Sequence, residues 1–70
     1  MITSKKLENF INMPVKLIDC DDRILYGWFI KGTMKYYYVL LPFNDIWNTY
    51  SFRASHIKSI KFLTNGYEIR

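Results

Sequence analysis

Apolar residues near the start of the chain recur at helical spacing and then switch to the alternation of strands. Leu7, Phe10 and Ile11 fall on one face of a helix, with Lys5, Lys6, Glu8 and Asn9 on the other and Thr3 or Ser4 as a cap. Asn12-Met13-Pro14 ends it, because the residue before a proline is pushed out of helical geometry. A helix over about residues 4–12 is too short to stand alone and must dock on an apolar surface. Strands are then predicted over about 14–19, 23–31, 34–41, 46–53 and 57–63. Their breaks are the polar cluster Asp19-Cys20-Asp21-Asp22, the turn Lys31-Gly32-Thr33, Pro42-Phe43-Asn44-Asp45 and the short link Ala54-Ser55-His56. Asn65-Gly66 is a strong hairpin signal that lets Tyr67-Glu68-Ile69-Arg70 fold back on the fifth strand.

One helix followed by five short strands predicts a mostly β domain: a small five-stranded, strongly bent barrel with a short N-terminal α-helix. Closure suits a short chain because it leaves few unpaired strand edges. Val15, Leu17, Leu25, Phe29, Val39, Tyr50, Phe52, Ile60 and Phe62 are the expected interior. Gly27, between Tyr26 and Trp28, is the expected bend. The opposite face of the second strand carries Ile24, Tyr26, Trp28 and Ile30, more apolar surface than water tolerates. The helix is expected to cover part of it, and any remainder is a binding surface.

Three stretches carry a family resemblance. Val15-Lys16-Leu17 with its acidic turn, then Tyr26-Gly27-Trp28-Phe29, resembles the first part of the Sm motif, and 52–60 resembles the second. The chain is thus similar to the Sm-like small barrels over about residues 7–63, and Src-homology-3-like barrels fit almost as well. Lys31-Gly32-Thr33-Met34-Lys35 lacks the acidic residue and asparagine of RNA-binding members, and Ala54 stands where they have glycine. The resemblance therefore implies the fold and, residue by residue, places only Arg53, Ser55 and His56 in the nucleotide-facing loop.

Composition narrows the function classes. Seventy residues, half of them hydrophobic and 19% aromatic, make one domain (1–70) with a dense core, and exclude disorder. The longest apolar run, Tyr36 to Phe43, is far short of the ~20 residues of a membrane-spanning helix, so no membrane is expected. With a single cysteine and no leader-like start, the expected address is cytoplasmic. The lone Cys20 and lone His56 have no spacing that suggests a nucleophile and base, and they cannot make a zinc site. Asp19, Asp21 and Asp22 lack calcium-loop spacing and read as a solvated turn. The glycines stand singly, so no phosphate loop is present. No enzyme and no cofactor are expected.

A net charge of +4 and the aromatic content point instead to binding. Cations that follow phosphates beside rings that stack bases are how small barrels hold single strands. Lys31, Lys35, Tyr37, Trp47, Arg53, Ser55, His56 and Lys58 are the candidate site, with RNA or single-stranded DNA as the expected partner. The competing expectation is a protein partner or a homo-oligomer, bound through exposed aromatic strand surface.

Overall fold

Thr3 starts the helix as expected: its extended backbone turns into α1 (Ser4–Leu7), and its Oγ1 accepts the Lys6 amide at 3.3 Å. The computed structural model describes residues 2–70. The α-helix lasts one turn rather than running to residue 12, and Glu8–Phe10 tightens into a 3-10 turn. The tighter winding has a period of three, which places Leu7 and Phe10 one above the other, both buried. Asn12 takes a left-handed backbone, φ 65°, and reverses the chain into the first strand.

Six strands follow: β1 (Met13–Asp19), β2 (Ile24–Lys31), β3 (Tyr37–Pro42), β4 (Tyr50–Arg53), β5 (Ile57–Phe62) and β6 (Glu68–Ile69). They form one antiparallel sheet in the order β4-β3-β2-β1-β5-β6. The closed five-stranded barrel is therefore corrected to an open six-stranded sheet. β4 and β5, joined by the 3-10 turn Ala54–His56, do not pair with each other, and the fold-back after Asn65-Gly66 adds β6 to the outside of β5. Gly66 supplies the positive φ, 77°, that this last turn needs.

Two strands begin later than the sequence predicts. Residues 34–36 belong to a turn, where Tyr37 donates its amide to the Met34 carbonyl at 3.1 Å and Tyr36 holds φ at 67°. Residues 46–49 alternate like a strand but lie in the β3–β4 loop, pinned by an Asn48 amide bond to the Asp45 carbonyl. That loop has no neighbouring strand to pair with, and alternation without a ladder makes no strand.

The core sits on one face of the sheet. Val15, Leu17, Phe29, Phe52 and Ile60 are buried there, with Leu25, Tyr50 and Phe62 half-buried against them. Val39 is the exception. It points to the outer face, while Tyr38 and Leu40 fill the interior opposite Phe52 and Tyr50. Apolar residues run unbroken from Tyr36 to Leu41, so the sequence carries no alternation from which to read their facing.

The N-terminal segment also packs differently from expectation. Ile2, Leu7 and Phe10 join the inner core, where the Phe10 ring stacks on Phe62 with centroids 4.1 Å apart. Its described residues leave Tyr26 and Trp28 exposed. No described helix is long and apolar enough to cross a membrane.

Asp19 corrects the picture of a solvated acidic turn. Its carboxylate is 1% exposed and accepts three bonds: from the Asp21 amide at 2.9 Å, the Arg23 amide at 2.9 Å and Arg23 Nε at 2.6 Å. Burial pushes the carboxyl up. The Arg23 amide and side chain, the Asp21 amide and the Arg23 charge outweigh that push and hold the group below its ordinary value. A depressed carboxyl stabilises the fold above its unfolded pKa, and that contribution disappears as pH falls through the lower folded value. Asp19→Asn is expected to cost about 1–3 kcal/mol at pH 7, because the turn amides lose a charged acceptor. In urea denaturation the gap between wild type and variant should narrow as pH falls below about 4. A gap that stays constant across that range would show that the ionised carboxylate is not what the turn uses.

Candidate binding surface

The outer face of the sheet is where exposed rings and free cations meet. Register fixes which residues share it. Glu68, Lys61, Lys16 and Tyr26 stand side by side across β6, β5, β1 and β2. The next row on this face sets Pro14, Trp28 and Leu41 in line across β1, β2 and β3. Farther along, Ile30, Val39 and Ser51 align, and beyond them Tyr37 lies opposite Arg53. Tyr26 is 50% exposed and Trp28 44%, values that no core position shows. The Trp28 ring meets Phe43 edge to face, centroids 5.6 Å apart, which holds it upright at the rim of the β3–β4 loop.

Cations outnumber carboxylates on this face. Four of the six carboxylates are in ion pairs with other cations: Asp19 with Arg23, Glu8 with Lys31, Asp22 with Lys58, and Glu68, itself on this face, with Arg70. Lys16, Lys61 and Arg53 make no ion pair among the described residues. Lys16 and Lys61 are direct cross-strand partners, an arrangement of like charges that costs stability. Both are half-buried, as lysines are when their stems lie along apolar surface. Glu68 is across from Lys61 on the far side, but its carboxylate is turned to Arg70 at 3.6 Å.

The structure divides the residues singled out from the sequence. Tyr37 and Arg53 do come together, the guanidinium carbon 5.7 Å from the ring centroid, on the outer face. Lys35 lies over the neighbouring Tyr36 ring at 5.2 Å, and Ser55 joins Arg53 and Tyr36 around a cavity of about 370 Å³. Lys31 and Lys58 are less available, being tied to Glu8 at 3.2 Å and to Asp22 at 2.5 Å. His56 serves through its backbone, the carbonyl accepting the Cys20 amide at 2.9 Å. Trp47 is at the other end of the β3–β4 hairpin from the Tyr37–Arg53 pair. Reasoning from the sequence missed Lys16 as a site residue and expected Tyr26 and Trp28 to be partly covered. The signal was present: Lys16 interrupts Val15 and Leu17 with strand alternation, which already turned it away from the core.

Among the described residues no three His, Cys, Asp or Glu side chains converge to hold a metal ion. No family model matches the sequence, no curated protein is detectably similar to it, and no solved structure matches its fold.

Proposed function

We propose that this chain is a non-catalytic binding module that takes single-stranded nucleic acid across the outer face of its sheet. The observation that carries this reading is the row Lys61–Lys16–Tyr26. Two adjacent ammonium groups without carboxylate partners stand beside a half-exposed ring, and Trp28 is the next outward-facing residue along β2. A phosphate between Lys16 and Lys61 turns their mutual repulsion into attraction, while Tyr26 and Trp28 offer faces on which bases stack. Arg53 and Tyr37 extend the surface to the far strand. The architectural kinship we propose is with the Sm-like or Src-homology-3-like small barrels. It is supported by the strand order β4-β3-β2-β1-β5 and the one-turn link from β4 to β5.

The test is binding of a labelled single-stranded oligonucleotide at low salt, followed by fluorescence anisotropy. Trp28→Ala is expected to weaken binding by about 1–3 kcal/mol through lost stacking. Lys16→Ala is expected to weaken it uniformly across sequences. Affinity unaffected by either change would remove the outer face from the site.

One observation favours a second reading. Ile24 (54% exposed), Leu41, Val39 and Phe43 make the same face apolar enough to seat a protein partner or a second copy of the chain. That complex would resist salt, would be lost in Trp28→Ala, and would form without nucleic acid.

A further inference from the structure

A cleft of about 330 Å³ opens where β2 begins and β3 ends, with Tyr26, Phe43 and Tyr50 supplying rings and Ile24, Leu25, Pro42 and Asn44 the rest of the wall. Its volume is near the lower end of small-ligand sites, about 300 Å³. No charged residue lines it. Lys16, which makes no ion pair among the described residues, is directly across from Tyr26 at its edge, while the Arg23 guanidinium, 5.6 Å from the Tyr50 centroid, is already bonded to Asp19. An uncharged, ring-lined cleft beside the unpaired Lys16 suits a flat, uncharged group carried on an anionic backbone. The loop that provides Phe43 and Asn44 also carries Trp47, which is 91% exposed and outside the lining of the cleft, three residues along the chain from Asn44.

We infer that this cleft takes one unstacked nucleobase of a bound single strand, with Trp47 as the outer ring of the stack and Asn44 hydrogen-bonding the base edge. Every base has a π face, so rings grip it without regard to sequence, whereas an amide presents both a donor and an acceptor to its edge. Tyr26 belongs to both surfaces, so a strand whose phosphates lie along Lys61 and Lys16 has the cleft beside it. This inference rests on the outer-face reading and adds to it a place for one base.

The two tryptophans separate the two ideas. Trp47→Phe leaves Trp28 as the only indole, reporting the outer face, and Trp28→Phe leaves Trp47, reporting the cleft. Each variant is titrated with a single-stranded oligonucleotide of mixed sequence and with an abasic strand of the same length, which keeps the phosphates and lacks the bases. Trp47 fluorescence should change saturably with the first strand and stay unchanged with the second. Asn44→Ala should weaken binding of the base-bearing strand roughly tenfold and leave the abasic strand unaffected. A Trp28 response with a silent Trp47 would leave the outer face standing and overturn the cleft. A Trp47 response of equal size to both strands would also overturn it, because no base would be involved. Silence from both indoles would overturn the cleft and the outer-face reading together.

Discussion

Gly27→Val is expected to cost more than about 3 kcal/mol, a large part of the roughly 4–10 kcal/mol that holds a domain of this size together. A Cβ built at Gly27 would lie 2.1 Å from the Leu41 carbonyl oxygen, 2.7 Å from its carbon and 2.9 Å from the Pro42 Cα. All three are backbone atoms, so no side-chain rotation relieves the clash. The β2 and β3 backbones must separate, and with them the pairs that bring Phe29 against Leu40 and Trp28 against Leu41. Valine's preference for strands returns at most about 1 kcal/mol, too little to offset this. Gly27→Ala already carries the offending atom and should lose most of the same stability. An alanine variant with an unchanged urea midpoint would mean that the two strands do not approach so closely.

Phe10→Ala is expected to cost about 3–5 kcal/mol, the second large effect. The ring is 1% exposed, stacks on Phe62 and joins Leu7 and Ile2 over the inner face of the sheet. Removing it leaves a cavity that one helical turn cannot collapse to fill. Deleting residues 1–12 should be worse still, because the inner core would then lie open to water on that side. A deletion variant that melts where the whole chain does would show that the N-terminal segment is not docked.

The contrast between Phe10 and Val39 shows where the fold was legible in the sequence. Leu7 and Phe10 recur at helical spacing among Lys5, Lys6, Glu8 and Asn9, so their facing is written in the pattern, and docking was expected because so short a helix does not stand alone. What they dock on was not. β2 is apolar on both faces, and local pattern does not say which face a distant helix will meet. Val39 sits in a run with no polar residue to set its direction. The start of β3 depends on the left-handed backbone at Tyr36, a position the sequence gives no glycine or asparagine to mark. Trp47 shows the opposite failure, a strand-like alternation with nothing beside it to complete a ladder.

The candidate site was legible in its residue types more than in its place. Arg53 was singled out by its place at the short link after the fourth strand, and Tyr37 because successive strand residues point to opposite faces, away from Tyr36 and Tyr38. Lys31 and Lys58 were not separable from them, since the ion pairs that engage them join residues 23 and 36 positions apart. The Lys16–Lys61 pairing depends on the β1–β5 register, again a long-range property.

The outer face is tested most directly by the salt dependence of oligonucleotide binding. If phosphates lie on Lys16, Lys61 and Arg53, the logarithm of the association constant should fall linearly with the logarithm of salt concentration. The expected slope is roughly −0.7 for each phosphate neutralised on a single strand, and Lys16→Ala should flatten it by about that amount. Binding whose strength does not change with salt, or a Lys16→Ala slope equal to that of the wild type, would contradict it.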